Sequence, residues 1–175
     1  AKVYSTVVRG TPMLVQGVIV YYLGFNIVSG FGLSITEVNA LWTRFIAGLV
    51  VISLNSTAYM MEVLRGGIES VDKGQMEACL SCGMTTGQAY RRVVLPQAFH
   101  LAVPSLMNNF IECFKGTALV SMVGVTDMML TAKMLTARNL RFVEGYLAVL
   151  LLYWVINMVF VAIQKRLELR LDAKY

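Results

Sequence analysis

The chain has 175 residues, 57% hydrophobic and only 14% charged, with a mean hydropathy of +0.66. Soluble domains run about 45–50% apolar and about 25% charged, so this composition excludes an ordinary water-solvated domain and points to a chain solvated largely by lipid. The net charge of +5 does not indicate nucleic acid, because the charges cluster in short segments beside apolar runs, as the positive-inside rule describes.

The length suits one domain, residues 1–175. No signal-peptide pattern opens the chain. It starts at Ala1 rather than Met, which creates the expectation of a preceding helix. Ala1 to Gly10 reads as a loop. A helix needs about 20 mostly apolar residues to cross a bilayer. The first candidate span is short, residues 12–28 (PMLVQGVIVYYLGFNIV). The second, about 38–61, carries Arg44 near its outer end, where the side chain can snorkel. It also carries Ser53, Asn55, Ser56 and Thr57, small polar residues that commonly bond between membrane helices. Residues 63–97 are polar and form a loop. The third span, 101–125, is broken by Pro104 and by a polar run. The fourth, 146–163, is uncharged.

Four spans put both ends of the chain on one side, and the charges agree. Segments 1–11, 63–97 and 165–175 hold Lys2, Arg9, Arg65, Lys73, Arg91, Arg92, Lys165, Arg166, Arg170 and Lys174. The opposite loops, 29–37 and 126–143, hold Lys133, Arg138 and Arg141. Both termini and the 63–97 loop are therefore expected in the cytoplasm.

Within that loop, Asp72 followed by Gln75 predicts a capping box and a helix to Cys82, with Gly83 ending it at positive φ. Thr85 and Gln88 predict a second start. This helix should stop near Val94, because Pro96 disfavours helical geometry at Leu95. Helices this short are not stable alone in water and must dock on something. One reading is a self-packed or membrane-surface loop. The other is a knob that inserts into a groove on a cytoplasmic partner, with Glu77 as its one acidic side chain. Cys79 and Cys82 form a lone CxxC in a chain with one His, His100, which reads as interfacial. A structural zinc site needs four ligands, so no metal is expected and the thiols read as small helix residues. The eleven Met likewise read as packing or lipid-facing residues.

Glu77-Ala78-Cys79, three residues, Gly83, nine residues, Val93, one residue, Leu95-Pro96 resembles the EAA signature of ATP-binding-cassette importer permeases, with Cys79 for Ala and Val93 for Ile. Val7–Gln16 (VVRGTPMLVQ), Leu64–Ala78, Arg91–Ala98 and Phe114–Val125 are similar to the polar-amino-acid subfamily. The resemblance implies an all-α, polytopic transmembrane bundle of the type I importer permease kind, with five spans of which the first is absent here. It further implies a bacterial cytoplasmic membrane, two cytoplasmic ATPase subunits, a second permease subunit, identical or not, and an extracytoplasmic amino-acid-binding protein. Asp72, Glu77, Ala78, Gly83, Leu95 and Pro96 would then form the ATPase-coupling element.

Ionisable groups at membrane depth are expensive and usually functional. Glu112 and Lys115 lie three apart on one helical face and could simply neutralise each other. Alternatively Asn108, Asn109, Glu112, Lys115 and Thr117 line a translocation path with partners for an amino acid's ammonium and carboxylate. The subfamily's K-D-T-S-L segment reads Lys115-Gly116-Thr117-Ala118-Leu119 here. No phosphate-binding GxxxxGK[ST] loop occurs, so no cofactor is expected on this chain and ATP would be bound by a partner. The chain is therefore read as a transport subunit and not an enzyme. An ATP-independent carrier or channel is the alternative. An intramembrane enzyme is third, since no HExxH or Ser/His pairing is seen.

Overall fold

A computed structural model describes residues 2–172; Ala1 and Lys174 lie outside the described residues. The elements in order are α1 (Lys2–Arg9), α2 (Met13–Ser29), α3 (Ile35–Leu41), α4 (Arg44–Glu69), α5 (Lys73–Ser81), α6 (Thr86–Ala89), a π-turn (Tyr90–Val94), α7 (Leu95–Gly116), a 3-10 segment (Thr117–Val123), α8 (Met128–Asn139) and α9 (Phe142–Asp172). No strand occurs among the described residues.

By length and hydropathy α4 and α9 are each able to cross a bilayer. Two bent helix pairs pass the same test when each is counted as one span, which would bring the number to the expected four. One is α1 with α2, at 109°, and the other is Thr86–Val123 with α8, at 49°. The opening segment is thus a helix where a loop was expected. It lies across α4, where the Tyr4 hydroxyl donates to the Leu54 carbonyl and Ser5 donates to Glu62 at 3.1 Å. Arg9 also reaches Glu62, at 3.6 Å, and covers the Tyr59 ring at 5.4 Å.

The second apolar stretch divides at Trp42. The Thr43 side chain accepts from the Ile46 N–H and starts α4 afresh. Upstream, Ser34 and Glu37 form a capping box that starts α3. Hydrogen bonds from the Ser34 hydroxyl and backbone hold the Glu37 carboxyl below its ordinary value. The Trp42 indole N–H donates to the Tyr21 carbonyl at 2.9 Å. Its ring fills the space beside Gly24, where a Cβ would lie 2.2 Å from Trp42 Cε2. α4 then continues to Glu69, into the stretch expected as loop, which shortens the non-spanning segment to residues 70–94.

Neither proline acts as the sequence suggests. The helical path runs from Thr86 through Pro96 to Gly116 without ending at Val94. Pro96 lacks the N–H that would bond the Arg92 carbonyl, and its ring crowds that oxygen. The backbone widens to a π-turn instead, with the Leu95 N–H donating five residues back to Tyr90. α7 also runs through Pro104. The break in this third apolar stretch falls at Thr117, where the helix tightens to 3-10 and ends on Gly124 at φ +84°.

Residues 128–139, expected in an outer loop, form α8 against the outer half of α9. Thr136 is buried and packs where a Gly145 Cβ would come within 2.2 Å of its Cγ2. Lys133 therefore lies on a helix, and Arg138 and Arg141 flank the hairpin corner at Leu140, which has φ 59°.

Small residues let the helices approach. Ala47, Gly48, Val51 and Ala58 are buried on α4, and Ala98 and Ala102 on α7. A Cβ at Gly67 would meet the Ala98 carbonyl at 2.8 Å and Ala102 Cβ at 2.9 Å. Such close backbone contact is how helices associate where hydrophobicity supplies no drive between them. Phe110 and Phe114 of α7 stack edge-on to Phe160 of α9, both at 5.2 Å. The remaining faces of α9 keep Leu150, Leu151, Trp154 and Val155 more than half exposed, a surface suited to lipid or another subunit.

Candidate functional site

Two regions bring the sequence-selected residues together: the polar segment 70–94 and a cavity between α2, α4 and α7.

α5 begins at Asp72, whose carboxylate accepts from the Gly74 N–H at 2.6 Å. The expected reciprocal bond from Gln75 is replaced, because the Gln75 side-chain oxygen accepts from Gln97 on α7 at 3.3 Å. α5 ends at Cys82. Gly83, at φ +78°, donates to the Leu80 carbonyl at 3.0 Å, and Met84 donates to the Cys79 carbonyl at 3.1 Å. These two bonds form a Schellman C-cap. Thr85 and Gln88 then exchange side-chain and backbone bonds at 3.3 and 3.0 Å, the predicted second capping box.

α5 has nine residues, too few to persist alone. Val71, Val94 and Ala98 form a small buried cluster on which Met76 packs, and Cys79 is buried on the same face of α5. Glu77, Ala78 and Ser81 are exposed on the far side of α5, and Leu80, one turn after Met76, is exposed at the edge of the buried face. Leu80, 46% exposed, is an apolar side chain offered to the outside that the sequence reading did not single out. Its i+3 spacing from Glu77 was the available signal. Leu95 and Pro96 are exposed at the base of α7, away from the outward face of α5, and they shape the π-turn that carries it. Arg91, Arg92, Thr85 and Gln88 line a shallow polar pocket beside α6.

The cavity, about 440 Å³, is lined by Met13, Asn55, Ser56, Tyr59, Val63, Ser105, Asn108, Asn109, Glu112, Cys113 and Gly116. Three of the five path residues thus share one wall. Lys115 and Thr117 are not part of it. Lys115 forms an ion pair with Glu112, with both side chains substantially exposed. The Thr117 hydroxyl donates to its own helix at Phe114 O, 2.7 Å away. The Asn108 oxygen accepts from Gln164 of α9 at 3.3 Å. Asn109 Oδ1 is buried without a hydrogen-bond partner among the described residues.

The polar patch of α4 takes part as well. Asn55 donates to Gln16 Oε1 on α2 at 3.2 Å, and Ser56 donates to Cys113 Sγ on α7 at 3.1 Å. Thr57 instead bonds the Ser53 carbonyl within α4. At the outer end Arg44 is exposed and lies along Gly124, beside a second cavity of about 550 Å³ with Tyr21, Asn39 and Thr126.

Residues 1–173 match the family described as "Binding-protein-dependent transport system inner membrane component". The chain is 39% identical over 175 residues to "Probable amino-acid permease protein YxeN" of Bacillus subtilis (strain 168), covering 100% of this chain and 75% of that protein. It is 41% identical over 175 residues to "Probable amino-acid ABC transporter permease protein PatM" of Vibrio harveyi, with the same coverage of 100% and 75%. "Arginine transport system permease protein ArtQ" of Bacillus subtilis (strain 168) is 34% identical over 173 residues, covering 99% of this chain and 74% of that protein. A solved structure titled "Crystal structure of an amino acid ABC transporter with histidines" superposes with a TM-score of 0.83 at 36% identity, over 97% of this chain and 74% of that chain.

Proposed function

The chain belongs to the family of binding-protein-dependent transport system inner membrane components, and from that premise we propose that it is the permease subunit through which an ATP-driven importer moves a polar amino acid into the cytoplasm. Its ATP-binding partner is a separate cytoplasmic ATPase, since the sequence holds no phosphate-binding loop of its own. A second permease subunit and an extracytoplasmic binding protein complete the assembly, in a bacterial cytoplasmic membrane.

The observation that carries the coupling role is the two-faced α5. Its inner face is fixed to the base of α7 by Met76 on Val71, Val94 and Ala98, its outer face offers Glu77 and Ala78, and Leu80 is exposed at the edge between them. Such a helix docks in a cleft and passes the cleft's rigid-body closure into the helices behind it. α4 enters this segment and α7 leaves it, so both follow α5. Asn108, Asn109 and Glu112 line the path for substrate, and Lys115 neutralises Glu112 rather than facing the cavity. The amino-acid class rests on the printed names of the relatives.

Reconstitution of the permease with its ATPase and binding protein in liposomes tests this reading. Uptake of L-arginine, L-glutamine or L-cystine that requires hydrolysable ATP is expected. Downhill flux through the permease alone, without ATP, would establish the carrier or channel instead.

A further inference from the structure

Gln16, on α2, joins two regions. Its Nε2 donates one hydrogen to the Val8 carbonyl at 2.7 Å and shares the other between the Thr11 carbonyl at 3.0 Å and the Thr11 hydroxyl at 2.8 Å, holding the α1–α2 corner. The Thr11 hydroxyl spends its own hydrogen on the Val7 carbonyl at 2.8 Å, so it faces Gln16 as an acceptor. Every group around this end of the amide is therefore an acceptor. The amide cannot be turned over, since that would set Oε1 against the lone pairs of two carbonyls.

Fixing Nε2 at the corner fixes Oε1 toward α4. Asn55, a residue of the cavity lining, must then present an N–H to it, as it does at 3.2 Å, and keeps Oδ1 for its other side. Ser56 next to it spends its hydroxyl hydrogen on Cys113 and keeps its lone pairs. Asn109 Oδ1 on the same cavity is buried and unpartnered among the described residues. The Asn55 and Ser56 oxygens are thus left as acceptors beside the cavity-lining Asn109, although the amide nitrogens of Asn55 and Asn109 keep hydrogens of their own.

We propose that Gln16 is a positioning residue of the transport path: by dictating the orientation of the Asn55 amide, it turns Asn55 Oδ1 away from α2 as the acceptor that receives the ammonium of the passing substrate. This rests on the importer reading above. Gln16 touches no substrate itself and acts through Asn55.

The test is a double-mutant cycle in the reconstituted complex, using whichever of L-arginine, L-glutamine and L-cystine wild type carries fastest. Gln16→Met should lower uptake about fivefold in the wild-type background, the size of one lost hydrogen bond, and less than twofold in the Asn55→Leu background. Its effect on melting temperature should be smaller in the Asn55→Leu background by the one Asn55–Gln16 bond and persist otherwise, since the corner is lost in both. Thr11→Val, which removes one of the three acceptors, should give a smaller drop in uptake with the same background dependence. It serves as the test if Gln16→Met fails to assemble. An equal loss of uptake in both backgrounds would overturn the proposal and leave Gln16 as a corner brace. Wild-type complex that carries no polar amino acid, these three included, would overturn the substrate reading itself, a distinct failure.

Discussion

Gly83 has φ +78° and no atom within 4 Å of the place a Cβ would occupy, so backbone conformation and not space governs substitution there. Non-glycine residues cost about 1–2 kcal/mol in this region, asparagine less and β-branched residues more. Coupling of ATP hydrolysis to uptake should therefore fall in the order Asn, Ala, Val, with Gly83→Val inserted in the membrane yet uncoupled. Coupled assays of the three variants check this. Asparagine behaving worse than alanine would mean that bulk, not φ, is limiting. At the other site Lys115 pairs with Glu112 while only Glu112 reaches the cavity. Lys115→Gln leaves a carboxylate without its partner beside an apolar region. Uptake should fall several-fold in that variant and recover in part when Glu112→Gln is added. A double variant worse than the single would show that Lys115 acts on its own.

Among the elements, α4 and α7 depend on contacts between backbones. At Gly67 an added methyl would stand 2.8 Å from a carbonyl oxygen that cannot move without its helix. Gly67→Ala should destabilise the permease by about 1–3 kcal/mol, an overpacking cost, and melting of the purified complex would report it. Gly66, with nothing within 4 Å, is the control and should change little. The sequence made the all-α class, the greasy spans, the turn at Gly83 and the Thr85–Gln88 cap legible, because hydropathy and capping chemistry are local. It did not show the fate of the prolines, since a π-turn before Pro96 and an unbroken α7 at Pro104 depend on packing on both sides. The division at Trp42 depends on Gly24 being small on another helix, and the placing of α8 depends on Thr136 meeting Gly145. The cavity was half legible. Asn108, Asn109 and Glu112 were found as polar residues of an apolar stretch, whereas Tyr59 gave no local sign of facing them, nor Gln16 of bonding Asn55.

Across the molecule, α4 and α7 join the cavity between α2, α4 and α7 to the short helix α5. The segment 70–94 has a buried inner face with an exposed leucine at its edge, an arrangement that wastes apolar surface unless something covers it. The most direct measurement is affinity purification of the full-length protein from its native membranes, with mass spectrometry of what remains bound, for wild type, Glu77→Lys and Leu80→Asp. The account predicts a stoichiometric P-loop ATPase with wild type and its loss with Leu80→Asp, while the permease itself remains folded and inserted. An ATPase-free wild-type oligomer, or equal retention of the ATPase by all three, would contradict it.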